Sequence, residues 1–172
     1  SSYYVLSLYG DVLEFGAPEQ VSPSGPDGHY QPSDGDGASP FLGTAASLIS
    51  SLIVRSSYLE KIYPFSFCDC SSMTETDLEM SDIGEIGAFA FARCIWLSNV
   101  TAVNAVKLGD CAFLGCRLLG NVDTFQTITD VGYYCFFNDI VLSSLNGLSG
   151  ARTIGNYAFA GCVQLTSTDG LS

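Results

Sequence analysis

Between residues 62 and 165 the apolar positions fall into one twelve-residue block written five times. The copies are IYPFSFCDCSSM (62–73), IGAFAFARCIWL (86–97), LGDCAFLGCRLL (108–119), VGYYCFFNDIVL (131–142) and IGNYAFAGCVQL (154–165). Position six is always Phe (Phe67, Phe91, Phe113, Phe136, Phe159), at separations of 24, 22, 23 and 23 residues. A fixed period in the twenties predicts a solenoid, in which each repeat buries its apolar face against its neighbours. Position one is aliphatic and suits the inward side of a short strand. Position two is Gly in four copies (Gly87, Gly109, Gly132, Gly155), where a turn at positive φ is expected. Positions five, six, nine and twelve share one face of a short helix. Stacked copies then give a Phe spine, a Cys row (Cys70, Cys94, Cys116, Cys162) and a Leu row closed by Met73. The apolar runs Val100–Val106 and Leu145–Leu148 read as strands of a continuous parallel sheet. Strand spacing of about 4.8 Å makes five coils a rod about 20 Å long.

The block resembles the BspA-like leucine-rich repeat, Ile-Gly-x-x-Ala-Phe-x-x-Cys-x-x-Leu, and residues 154–165 match it at every marked position. The resemblance covers residues 59–172. The chain departs from it at Asp139, where Cys is expected, and in the first copy, where Tyr63 and Ser66 replace Gly and Ala. The Leu-Pro step that such repeats often carry in the strand segment is also missing. The resemblance implies a mainly β leucine-rich-repeat solenoid with a parallel sheet and short helical turns in each repeat. It also implies a surface-exposed or secreted protein that works by contact with other proteins, and it supplies no catalytic residue.

The N-terminal third reads differently. Tyr3–Tyr9 and Val12–Phe15 flank Gly10-Asp11, a two-residue hairpin signal. Residues 16–40 hold most of the proline with clustered Gly, Ser and Asp, the composition of a long loop. Such a segment, if ordered, must be held by the side of its own solenoid or by a neighbouring molecule. Residues 41–58 are apolar enough for a helix or degenerate first coil covering the solenoid's N-terminal end. The expected organisation is therefore an extension over 1–40, a cap or degenerate repeat over 41–58, and five repeats over 59–172. At the other end the chain stops after an ordinary repeat, which leaves three readings open: a fragment of a longer array, a coil capped by the next subunit of a filament, or a frayed last coil.

Charge narrows the partners. Eighteen acids against six bases give a net charge of −12, which argues against nucleic acid and against docking on an anionic membrane. No apolar run approaches the roughly 20 residues of a membrane span. Of seven cysteines, the four in the row read as buried thiols packing as small hydrophobes, with distorted inter-coil bridges as the alternative. Cys68, Cys111 and Cys135 lie off the row and are expected to be the oxidisable ones. Zinc is not expected, because Cys68 and Cys70 have one residue between them and the chain holds a single His.

Smaller signals each carry two readings. Asn99-Val100-Thr101 is the only N-glycosylation sequon. Asp34-Gly35-Asp36-Gly37 near Asp27 reads as turn chemistry in preference to a calcium loop. Glu75, Asp77 and Glu79 read as a solvated acidic face, with a weak inter-subunit cation site as the alternative. His29 stands alone in its loop without a nucleophile motif. Asp139, the odd residue of the Cys row, reads as a helix-terminal or locally hydrogen-bonded Asp. Tyr133, Tyr134 and Tyr157 at positions three and four, with Trp96 at position eleven, offer a lateral aromatic stripe. The expectation is a non-catalytic extracellular or cell-surface repeat protein without cofactor or metal, assembling end to end with itself into a filament. The alternative is an adhesin module that binds an extracellular protein through its lateral face.

Overall fold

The computed structural model describes residues 4–9, 14–15, 21–36, 46–55, 59–78, 82–102 and 104–171. Two parallel sheets run along the molecule. The first contains β1 (Tyr4–Tyr9), β3 (Ile49–Arg55), β5 (Glu75–Asp77) and β7 (Asn99–Thr101), in that spatial order. The second runs β2 (Glu14–Phe15), β4 (Lys61–Ile62), β6 (Glu85–Ile86), β8 (Lys107–Leu108), β9 (Asp130–Val131) and β10 (Thr153–Ile154). Each coil takes a strand of the second sheet, passes through the twelve-residue block, and crosses to the first sheet. The alternation of strand residues turns Ile62, Ile86, Leu108 and Val131 inward, while Lys61, Glu85, Lys107 and Asp130 stand in register outside.

Between the sheets lies the Phe spine. Neighbouring rings stack at 5.3, 5.4, 5.6 and 5.6 Å from Phe67 to Phe159, within 11° of parallel. Phe67, Phe91, Phe113 and Phe136 are fully buried, and Phe159 is partly covered. Ring spacing slightly above the strand spacing lets rings and backbone rise together.

The block itself is a run of turns rather than a helix, because two residues in every copy are left-handed. Position four has φ between 53° and 62° (Phe65, Phe89, Cys111, Tyr134, Tyr157). Position eight is also left-handed, at Asp69, Arg93, Gly115, Asn138 and Gly161. Each non-Gly residue there costs roughly 1–2 kcal/mol. The return is a ladder of backbone bonds between coils. In the first four blocks, amides at positions four, six and eight donate to carbonyls three, five and seven of the next coil at 2.7–3.0 Å, while most of those at five, seven and nine close turns within their own coil. The position-two glycines are therefore not the positive-φ residues expected from the sequence. A Cβ at Gly87, Gly109, Gly132 or Gly155 would lie 2.4–2.6 Å from backbone atoms of the preceding coil. Close approach of successive coils is what requires glycine there.

Three local expectations give way to the same logic. Tyr4–Tyr9 and Glu14–Phe15 do not form a hairpin: each pairs in parallel with a different strand, β1 with β3 and β2 with β4. Gly10-Asp11 lies outside the described residues. Residues 49–55 are a strand of the first sheet and not a helix, paired with β5 as a repeat-like coil would be and with β1 on its other side. The 145–148 run closes as a 3₁₀ turn over Asn146–Leu148. Leu145 and Leu148 are both buried, and a strand would have sent residues three apart to opposite faces.

The loop between β2 and β3 crosses the outer side of its own solenoid. Tyr30 is buried edge-on against the stacked pair Phe65 and Phe89, with ring centroids 5.8 and 5.7 Å away. Position seven is small in those coils (Cys68, Ala92), which leaves room for that ring; two coils further, Phe137 fills the equivalent slot against Tyr134 at 5.6 Å. Asp110 is the clasp: its carboxylate accepts from Tyr30 N (3.0 Å) and Tyr133 N (2.9 Å) and pairs with His29 Nδ1 (3.0 Å). Arg93 forms the second clasp, a fork onto Asp69 (2.6 and 2.7 Å) that also donates to the Gly35 carbonyl (2.7 Å).

Candidate interaction surface

Chemistry-bearing side chains distribute over three environments. The first is the thiol row. In it the Cys94, Cys116 and Cys162 thiols donate to the carbonyls of Phe67, Phe91 and Phe136 in the preceding coil at 3.0–3.2 Å. A small side chain with one donor suits position nine for that reason. All seven cysteines are buried and unbridged. This corrects the expectation that Cys68, Cys111 and Cys135 are the oxidisable ones, since each is fully buried. Burial pushes the Cys68 and Cys70 thiols up to about 12 and those of Cys111 and Cys135 upward as well, away from the reactive thiolate.

The second environment is a recess of about 580 Å³ on the outer side, where the loop overhangs the second sheet. His29 stacks on Tyr133 at 3.7 Å and 10° there, and its imidazole is engaged by Asp110. The strand residues below neutralise one another: Lys61 pairs with Glu85 at 3.2 Å, and the Thr153 hydroxyl donates to Asp130. The acids of the loop are likewise used internally. Asp34 accepts from Ser24 N and Gln31 N, which with the Ser24 hydroxyl holds its carboxyl below the ordinary value against the effect of burial. Asp36 lies 3.8 Å from Arg93. Among the described residues no group of three or more ligand side chains is placed to hold a metal.

The third environment is a ridge. Positions nine and twelve point inward, so positions ten and eleven turn out at the corner between block and first sheet. They bring Ile95, Trp96, Arg117, Leu118, Ile140 and Val163 to the surface, all exposed, with Trp96 at 56% and Val163 at 73%. Successive rungs follow the 5.3–5.6 Å ring spacing of the spine. Trp96 walls a recess of about 380 Å³ with Ser50, Ser72 and Thr74. Beside the ridge the first sheet presents Glu75 and Asn99 in register, then Asp77 and Thr101. Asp123 follows, exposed and bonded by the Ser144 hydroxyl at 2.8 Å.

The aromatic residues singled out in the sequence therefore do not make one stripe. Tyr133 lies under His29, and Tyr134 stacks on Tyr157 at 5.0 Å on the loop side; Trp96 alone belongs to the ridge. Ile95, Leu118, Ile140 and Val163 were missed, although their signal was present as apolar residues at block positions that no internal ladder uses. Asp110 and Arg93 had no such signal, since their partners lie in a loop remote in sequence.

A family model described as "BspA type Leucine rich repeat region" matches residues 45–167 in six copies. No curated protein matches the sequence. Two solved structures are similar in fold. One is a leucine-rich repeat protein of T. pallidum, with a TM-score of 0.59 and 18% identity over 67% of this chain and 56% of that one. The other is a leucine-rich repeat protein from Bacteroides ovatus, with a TM-score of 0.58 and 18% identity over 94% of this chain and 38% of that one. The chain thus spans about half or less of the solved relatives it resembles.

Proposed function

This chain belongs to the BspA-type leucine-rich repeat family, whose repeats form a protein-interaction scaffold, and from that premise we propose that it is an adhesin-type module binding a basic protein partner through the Trp96 ridge. The ridge carries the reading. It sets aliphatic, Trp and Arg side chains in one exposed row, the residue types that anchor interfaces, on a chain of net charge −12. Acids on the adjoining first sheet attract Lys and Arg during encounter, and the apolar row supplies the buried anchor afterwards. BspA-type proteins are commonly surface-associated, and no helix among the described residues is long and apolar enough to cross a membrane. We place the module at the cell surface or outside the cell on the ground of that family association alone. Asn99, exposed at the start of β7, is its candidate N-glycan acceptor in a host that attaches such glycans.

The test uses a displayed random-peptide library selected on the purified chain. Enriched peptides are expected to combine Lys or Arg with bulky apolar residues, and to lose at least tenfold in affinity when Trp96 and Leu118 are both changed to Ser. Peptides that bind the double variant as well as the parent would rule the ridge out as the binding surface.

End-to-end self-assembly into a filament is the second reading, and sedimentation over a wide concentration range separates the two: self-assembly grows with concentration and is insensitive to the ridge substitutions.

A further inference from the structure

Asp139 is the one acid in the thiol row. It is fully buried, and neither carboxyl oxygen has a hydrogen-bond partner. The amides that face it, Gly115 N and Cys116 N, already donate to the carbonyls of Phe137 and Phe113. Its titratable neighbours are the thiols of Cys116 in the coil before, Cys135 in its own coil and Cys162 in the coil after. No cation among the described residues acts on it. An ionised carboxylate in such a place is strongly disfavoured. A neutral acid fits, because position nine elsewhere places a donor on the preceding coil's Phe carbonyl, and the carbonyl in register with Asp139 is that of Phe113.

We propose that Asp139 is carried in the folded chain as the neutral acid, its carboxyl O–H replacing the cysteine S–H of the other rungs, which makes the 131–142 coil a pH-sensitive joint. The proton comes from solvent on folding and returns to it on opening. Burial keeps the carboxyl protonated well above its ordinary range, so the sign is fixed. Below the ordinary carboxyl value of about 4 both states hold the proton and the rung is not penalised. As pH rises above that value, the unfolded chain gains by ionising, and the folding constant falls by up to about tenfold per pH unit until the folded-state carboxyl itself titrates. The joint sits between the third and fifth repeats, so opening there releases the C-terminal coils from the rest of the solenoid.

The test compares the parent with Asp139→Cys, which restores the row, and Asp139→Asn, which keeps a donor of the same shape. Urea unfolding is followed from pH 5 to pH 8. The ratio of folding constants, variant over parent, is expected to rise with pH, at up to about tenfold per unit, for whichever variant folds. A ratio constant across that range overturns the proposal. Infrared spectra of the parent at neutral pH should show the carbonyl stretch of a protonated carboxylic acid that is lost in Asp139→Asn. Its absence from the parent would also overturn it.

Discussion

Phe113→Ala probes the spine at its middle rung. The ring is fully buried, stacks on Phe91 at 5.4 Å and on Phe136 at 5.6 Å, and leans on Phe125 at 5.6 Å. Removing a buried Phe typically costs about 3–5 kcal/mol, transfer and cavity together. Aromatic contacts add about 0.5–1.5 kcal/mol each, and three of them place Phe113→Ala at the upper end of that range. The cavity has little means of closing, because the rungs on both sides are fixed by backbone bonds from Phe91 N to Ala112 O and from Phe113 N to Cys135 O. Phe159→Ala removes a partly covered ring with one stacked neighbour, Phe136, and should cost about half as much. Against a total stability of about 5–15 kcal/mol for a domain, the first change takes a large share and the second is tolerated. Urea unfolding of both variants beside the parent gives the difference. Equal losses at the two rungs would refute the idea that each ring is held by its neighbours on both sides.

Two glycines should respond in opposite ways to an added methyl group. Gly132→Ala, whose Cβ would sit 2.4 Å from the Gly109 carbonyl carbon, should lower stability by several kcal/mol, whereas Gly120→Ala, with nothing within 4 Å, should be neutral or gain up to about 1 kcal/mol. Asp110→Ala leaves the Tyr30 and Tyr133 amides and His29 without their acceptor. It should cost about 1–3 kcal/mol and raise amide exchange over 21–36 while the spine amides stay protected; uniform loss of protection would count against a separate clasp. The thiols give a pH dependence of known sign. Cys68 and Cys70, raised to about 12 in the fold, stabilise fully below about 8.5, where both states are neutral. That contribution falls as pH climbs toward 12, by about tenfold per unit for each thiol. Native chain at pH 8 should accordingly react with a thiol dye far more slowly than chain in urea.

The solenoid was legible because its periodicity is carried by side chains packing on copies of themselves: a Phe every 22–24 residues is what a stack of like coils requires. Backbone geometry inside the block was not legible. Left-handed φ at Phe65, Phe89 and Tyr134 runs against residue preference and is sustained only by bonds to the neighbouring coil. Gly109 and its equivalents looked like turn residues because a close approach and a positive φ call for the same amino acid. Tyr3–Tyr9 and Val12–Phe15 looked like a hairpin because local spacing permits one; parallel partners 45–47 residues away outcompeted it. The loop's clasps join Asp110 and Arg93 to residues 80 and 58 positions distant, and no local pattern announces such a contact. The ridge was half visible: Trp96 drew notice as an aromatic, while Ile95, Leu118 and Ile140 passed as part of a generally apolar repeat.

The most direct measurement is hydroxyl-radical footprinting of the chain with and without a library-selected basic peptide. Protection of Trp96, Leu118 and Ile140, with Tyr157 oxidised as fast as in the free chain, is the result the ridge predicts. Protection of Tyr157 with Trp96 still freely oxidised would contradict it and move recognition off the ridge to the far coil.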